Sequence, residues 1–416
     1  MVALPSSSVS ETERSGAKKS PLLERLGVQF LSQASASAVR AASAGVGAGG
    51  APETDAIHVL NPKERAALRA IERGAIARAA LAGVINALLT GLAELLAHPL
   101  LGDPDAQATT QQLLTFWTVF GSASLVFAVA EIIFLYWDAL RSVRALALAA
   151  GLELAAADDS EGKRAERREV ALALARAALE LPSPAEPAFG VDPRREASRL
   201  RLALASIIYK LKISVTNFLF KALIRRALGR LATRTLLAFL AVPVNALWNG
   251  LVCAWVLREA RLRVMGPSAT VEMARAIFEG EPGQPPPALS EEAKHSAVRA
   301  VGAAIVRSYA LHPNLAALLV AVRAHVGELD DDVVLDDSRL FLTRLAGLAR
   351  DEQDVVLRVL TAAAIVDGRL TVEEKRLLRE ALAACGRSPD LGAAHRLCKA
   401  FVSGDPIAAS DVRGTA

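Results

Sequence analysis

Apolar residues in this chain gather into long runs, with almost none of the every-other-residue alternation of a half-buried strand, and that pattern predicts helices throughout. Two runs stand out, Ile76 to Leu101 (IARAALAGVINALLTGLAELLAHPLL) and Thr115 to Trp137 (TFWTVFGSASLVFAVAEIIFLYW). At a rise of about 1.5 Å per residue, either is long enough to cross a hydrocarbon core of roughly 30 Å. Asn61 followed by Pro62 reads as the N-cap and first position of a helix that continues into the first run. The link between the runs carries Asp103 and Asp105 but no Lys or Arg. The outer flanks carry Lys63, Arg65, Arg69, Arg73 and Arg78 on one side and Arg141 and Arg144 on the other. Cytoplasmic loops of membrane proteins are enriched in Lys and Arg, so the expected unit is a helical hairpin with both ends in the cytoplasm. Phe116 and Trp117 near one end of the second run, and Phe134, Tyr136 and Trp137 near the other, suit the two membrane interfaces.

Within the hairpin, Ala79, Gly83, Ala87 and Gly91 recur every four residues. They form a stripe along which another helix can approach closely. Two carboxylates, Glu94 and Glu131, interrupt the apolar runs, where an ionised side chain is costly. Glu131 is expected to pair with Arg78 across the hairpin, and Glu94 to reach water near the opposite end. A transport role would instead require Glu94, Glu131, Asn245 and Asn249 to line a polar cavity.

The pattern beyond Trp137 predicts an amphipathic helix, an acidic turn and a second helix, ending in a Pro-rich break at Pro182 to Pro193. From Arg194 to Arg263 there are fourteen Lys or Arg residues against Glu196 and Glu259. Lys210, Lys212, Lys221, Arg225 and Arg226, set among apolar residues, are the candidate groups for an anionic membrane surface. No aromatic stacking pattern or reading motif accompanies them, so a nucleic-acid partner is not expected. A third apolar run, Thr235 to Leu257, has basic flanks on both sides and contains Pro243, Asn245 and Asn249. It is expected to form a bent or re-entrant pair of half-helices, or a helix buried in a membrane-associated bundle, in preference to a third crossing.

GEPGQPPP, from Gly280 to Pro287, reads as a linker. Beyond it Ser290 caps a helix with Glu291 and Glu292 in its first turn, and several short helices follow. Thr371 and Glu374 make a capping box for a helix whose apolar face is Leu377, Leu378, Ala381, Leu382 and Cys385, with Gly386 at its stop. The first 56 residues, rich in Ser, Ala and Gly, read as a disordered arm in which only Pro21 to Gln33 looks able to form a helical turn or two.

Composition agrees with this picture. The 416 residues are 52% hydrophobic with a mean hydropathy of +0.32 and only 5% aromatic, which points to an all-α protein too apolar for an average soluble chain. Cys253, Cys385 and Cys398 have no C-x-x-C spacing, so neither a disulfide framework nor a cysteine-built metal site is expected. The expected division is residues 1–56 as the arm, 57–180 as the hairpin with cytoplasmic helical extensions, 194–267 as a basic membrane-associated region and 290–402 as a small helical bundle.

Two family resemblances add to this. Through Pro243, Asn245, Trp248, Asn249 and REARLRVMGP, from Arg258 to Pro267, the stretch 200–267 resembles the EcsC-like family of bacterial membrane-associated proteins. That resemblance implies membrane association and brings no catalytic residues. Through Ala364, Ile365 and Val366, the turn Asp367 and Gly368, and then Thr371, Glu373 and Glu374, the stretch 290–402 resembles tellurite-resistance TerB-like domains. This second resemblance implies an all-helical module that binds a divalent cation or mediates protein contacts in membrane-linked stress systems, with Asp367, Glu373 and Glu374 as candidate ligands. The alternative for Asp367 is a turn residue ahead of a capped helix. An EF-hand is not expected, because its first and third ligand positions would be Ala363 and Ile365.

The six histidines show no H-E-x-x-H spacing, and neither a G-x-S-x-G elbow nor a Walker-type glycine loop occurs, so no enzyme is expected. The resulting expectation is a nonenzymatic adaptor in the bacterial inner membrane with both termini cytoplasmic. Its partners would be anionic lipids and other membrane or cytoplasmic proteins, with no cofactor beyond a possible divalent cation. The alternative is an accessory or regulatory subunit of a transport system.

Overall fold

The computed structural model describes residues 27–29, 56–57, 60–102, 109–151, 161–179, 189–196, 234–279, 285–327 and 333–415. The protein is all-α. Its elements are β1 (Ala56–Ile57), α1 (Pro62–Ala97), a 3-10 turn (His98–Leu101), α2 (Thr110–Ala149), α3 (Glu161–Ala178) and α4 (Arg234–Phe278). These are followed by α5 (Glu291–Ser308), α6 (Pro313–Val326), α7 (Ser338–Ala346), α8 (Arg350–Ile365), α9 (Val372–Ala384), α10 (Gly392–Ser403), β2 (Ile407–Ala408) and α11 (Ala409–Arg413).

Local chemistry sets many of these boundaries where the sequence places them. Asn61 Oδ1 accepts from the backbone N–H of Glu64 at 2.8 Å, while Glu64 Oε2 accepts from Asn61 N–H at 2.9 Å, so both ends of the expected cap on α1 are satisfied. Ser290 caps α5 by accepting from Ala293 N–H. Thr371 and Glu374 form the expected capping box of α9. The predicted face Leu377, Leu378, Ala381 and Leu382 is buried, with Cys385 half-buried at its end.

The chain divides into two compact units. One comprises residues up to Leu68, Val143–Glu196 and Arg258–Ala416; the other comprises Arg69–Ser142 and Ala197–Leu257. The sequence-based linker at 280–287 therefore does not mark the boundary between units. Helices α1, α2 and α4 each contribute residues to both.

In the first unit α5 is the central element, with α6, α7, α8 and α9 packed on it and α10 and α11 on α8. Its core includes Ile305, Phe341 and Phe401 together with Leu262, Met265, Met273 and Ile277 from α4, all essentially without solvent exposure. β1 and β2 pair antiparallel, Ala56 with Ala408 and Ile57 with Ile407, and Arg65 binds Asp405 at 3.1 Å. A two-residue strand leaves no periodic signal, so the sequence pattern did not anticipate it.

In the second unit the first part of α1 and the last part of α2 run antiparallel, since Arg78 meets Asp138 and Asn86 meets Glu131. The expected Arg78–Glu131 pair is replaced. Arg78 Nε donates to Asp138 Oδ1 at 2.7 Å and Arg78 Nη2 donates to Ser142 Oγ. One helical turn or two decides the matter, because Asp138 lies seven residues beyond Glu131, at the register that faces Arg78. The small-residue stripe of α1 receives α4: a Cβ on Gly83 would stand 2.6 Å from the Asn245 carbonyl oxygen. Gly250 in turn sits against Ile76 and Ala80. These pairs put the first part of α4 antiparallel to α1. It is a continuous helix through Pro243, so of the two forms expected there the pair of half-helices does not occur and a single helix packed on a neighbour does. Proline forfeits one intrahelical hydrogen bond, and packing along the neighbouring helix outweighs that loss.

Helices α1 with its 3-10 extension and α2 are each 40 residues and apolar enough to cross a membrane by length and composition. Only 17% of the most apolar stretch of the first, and none of the second, is buried within the protein.

Asn314 fixes the first unit locally. Its Nδ2 donates to Leu262 O at 2.9 Å and to Val366 O at 2.6 Å, and the residue is fully buried against Gly266, where a Cβ would lie 2.0 Å from Asn314 Oδ1. Gly266→Ala forces this amide out and breaks both bonds, at a cost of about 3 kcal/mol. In thermal unfolding of the full-length protein in detergent we expect a melting temperature lower by about 5–10 °C, whereas Gly347→Ala, with only ordinary contacts, leaves it unchanged within about 1 °C. Equal melting of the two variants would remove the clamp.

Candidate functional site

Two polar clusters are built inside otherwise apolar surroundings, one in each unit. In the first unit the C-terminal part of α4 meets the loop between α8 and α9. Leu262 packs on Gly368, whose φ is +72°, and Arg258 Nη2 donates to Gly368 O at 2.7 Å. Beside this contact Glu259 is surrounded by three basic groups. Its Oε1 lies 3.0 Å from Arg263 Nη2 and 3.1 Å from His312 Nε2, and its Oε2 lies 3.3 Å from Arg369 Nη2. His312 is the N-cap of α6, its Nδ1 accepting from Asn314 N–H. That bond assigns the ring proton to Nε2, pointing at Glu259. Burial alone would push the Glu259 carboxyl up. The hydrogen bond from His312 and the charges of Arg263 and Arg369 outweigh it and hold the group at about 2.

Asp367 and Glu374 lie behind this ion pair cluster. Asp367 Oδ1 accepts from Arg369 N–H at 2.8 Å, the turn geometry read from the sequence, and burial pushes its carboxyl up. Glu374 is buried to 1% exposure. Burial first, and then the charge of Asp367, push it up to about 8 against the hydrogen bonds from Thr371. Its Oε2 accepts from both the N–H and the hydroxyl of Thr371, while Oε1 is buried without a hydrogen-bond partner. The two carboxyls titrate as a pair that keeps a proton at neutral pH.

This arrangement does not suit a divalent cation. Asp367 Oδ1 and Glu374 Oε2 already hold backbone groups, and Arg369 adds positive charge. Glu373 lies half-buried, about 100° around α9 from Glu374, and adjacent helical positions do not face one point. Among the described residues no group of three or more His, Cys, Asp or Glu could hold a metal ion. Of the acidic run beyond α6, Asp336 binds Arg195 and Asp337 caps α7, so neither serves Asp367.

The second cluster lies in the apolar unit. Glu131 on α2 accepts from Asn86 Nδ2 on α1 (2.5 Å to Oε2) and from Asn249 Nδ2 on α4 (2.6 Å to Oε1). Of the four residues that the transport reading requires in one polar cavity, the structure joins two, Glu131 and Asn249. Glu94 stands apart, eight residues beyond Asn86 along α1, about 12 Å. Asn245 contributes its backbone carbonyl beside Gly83. Asn86 was passed over in the sequence, although one amide inside an apolar run is a signal of the same kind as Glu131.

The candidate lipid-binding residues Lys210, Lys212, Lys221, Arg225 and Arg226 lie outside the described residues. The basic flank after the third run has internal work: Arg258 binds Gly368 O, Arg261 donates to Val402 O, and Arg263 binds Glu259 and Ala173 O. No protein-family model, curated protein or solved structure matches the chain.

The two buried acids and Glu259 give opposite pH dependences. Glu259, depressed to about 2, adds stability that is complete above its unfolded value of 4.5 and lost as pH falls toward 2. Glu374, raised to about 8, favours the folded state fully below 4.5 and progressively less as pH rises through 8. Stability of the full-length protein should therefore peak near pH 5 and decline by a few kcal/mol toward pH 8. Glu374→Gln, neutral at every pH, should flatten the alkaline decline while leaving the acid limb. Thermal melts across pH that show the same alkaline slope in both proteins would refute the assignment.

Proposed function

We propose that this protein is a nonenzymatic membrane-anchored adaptor whose helices α1 and α2 cross the bilayer as a hairpin. The observation that carries this reading is the exposure of apolar side chains along both helices. Leu96 is 70% exposed, Leu125 65% and Ile133 64%, and water would penalise such a surface at roughly 25 cal/mol per Å². Exposed Trp117 near one end of the apolar part of α2, and Trp137 and Tyr136 near the other, suit the two interfaces. Leu247, Leu251 and Trp255 on the first part of α4 are also exposed, and its antiparallel packing on α1 supports placing α4 beside the hairpin in the same layer. In that placement Arg258, Arg261 and Arg263 follow the apolar part of α4 at the end that lies toward the N-terminal, cytoplasmic end of α1.

The first unit, with its ordinary buried core, would stand in the cytoplasm as the interaction module; of the two roles that the TerB-like resemblance implies, the arrangement around Asp367 and Glu374 favours protein contacts over metal binding. The EcsC-like resemblance of 200–267 supports membrane association, with Lys210, Lys212, Lys221, Arg225 and Arg226 at an anionic lipid surface. A second reading, an accessory subunit of a transport system, is favoured by the Asn86–Glu131–Asn249 cluster.

Carbonate washing of membranes that contain the full-length protein tests the anchor: retention in the pellet is expected, and release to the supernatant would overturn it. Orientation is read by an impermeant maleimide on intact cells. Ala106→Cys should be labelled and Ser410→Cys should react only after permeabilisation; the reverse pattern would invert the topology.

A further inference from the structure

Two groups that bind Glu131, the amides of Asn86 and Asn249, suit two protonation states. An asparagine amide has a donor at one end and an acceptor of nearly the same shape at the other, and a half-turn about its terminal torsion exchanges them. As placed, Asn86 Nδ2 donates to Glu131 Oε2 and Asn86 Oδ1 is left buried without a hydrogen-bond partner. Turned over, the same amide would present Oδ1 to Glu131. That contact is a hydrogen bond only if the carboxyl carries a proton to donate. Asn249, which donates to the other oxygen, Oε1, serves either state unchanged.

We infer that Glu131 is a proton-binding site in the apolar unit, taking a proton from water and returning it to water, with Asn86 turning its amide as the proton comes and goes and Asn249 as the fixed donor. The inference rests on the membrane reading above, because an ionised carboxylate among lipid-facing helices is costly and its neutral form is not. It also deepens the transport reading by naming the ligand as a proton.

Among the described residues, the charged and titratable groups near it on the three helices are few. Arg78 on α1 and Asp138 on α2 are bound to each other, Cys253 lies one turn beyond Asn249 on α4, and Glu94 lies two turns beyond Asn86 on α1. The Arg78–Asp138 pair is neutral as a unit, and the Asn86 amide can follow a change of charge on Glu131.

Dicyclohexylcarbodiimide, an apolar reagent, adds to protonated carboxyl groups and leaves a stable acylurea. Full-length protein in membranes is treated across a pH series, and labelling of the peptide that contains Glu131 is quantified by mass spectrometry. The expected result is an adduct at Glu131 that falls about tenfold as pH rises across the series, is absent in Glu131→Gln, and has its midpoint moved by about one unit in Asn86→Leu. Absence of the adduct at every pH, or labelling indifferent to pH, overturns the proton site. An unmoved midpoint in a folded Asn86→Leu overturns the role of the turning amide. The pH series on the unaltered protein decides the matter even if a variant fails to fold. Carbonate-extractable protein that still carries the adduct would refute the membrane reading alone, and carbonate-resistant protein without it would refute this inference alone.

Discussion

The first unit depends on one buried amide. Asn314, at the start of α6, donates to Leu262 O on α4 and Val366 O at the end of α8, and it fits only because Gly266 has no side chain. Both carbonyls are removed from water, and a buried carbonyl without a partner costs about 1–3 kcal/mol. Once these three helices are joined, the neighbouring contacts have their geometry: Leu262 on Gly368, Arg258 on Gly368 O, and Glu259 between His312, Arg263 and Arg369. The residues that carry the EcsC-like resemblance, Arg258 to Gly266, and those that carry the TerB-like one, Asp367 and Gly368, touch one another here. The C-terminal part of α4 and the turn after α8 are two sides of one interface within this unit, which accounts for the failure of the 280–287 linker to separate them.

Charge in this interface is arranged by burial as much as by pairing. Glu259 keeps its charge because three basic partners surround it, whereas Glu374, buried beside a second acid, holds a proton. Two glutamates of one unit thus behave oppositely, for reasons that lie in their neighbours. The thiols follow the same rule: burial pushes Cys385 and Cys398 up, which makes them poor nucleophiles and fits their place in a packed module.

The second unit has the opposite construction. Among its described residues the apolar side chains of α1 and α2 are widely exposed, while Arg78 binds Asp138 and Ser142, and Asn86 and Asn249 bind Glu131. Small residues let α4 lie against α1, with Gly83 on the Asn245 backbone. In a lipid-like solvent, close backbone approach and shared polar side chains are the forces available to hold helices together.

Helix content, the two long apolar helices and the caps at Asn61, Ser290 and Thr371 were determined by the sequence itself, because each rests on contacts within one turn or on the periodicity of one segment. The apolar face of α9 and the turn role of Asp367 belong with them. Which partners meet across the fold was decided by tertiary structure alone. Arg78 selected Asp138 over Glu131, α4 stayed helical through Pro243, Asn86 joined Glu131 with Asn249, and His312 capped α6 while reaching Glu259. Such pairings join residues tens to hundreds of positions apart, and helix register, packing depth and burial fix them; none of these quantities is written in the local order of residues.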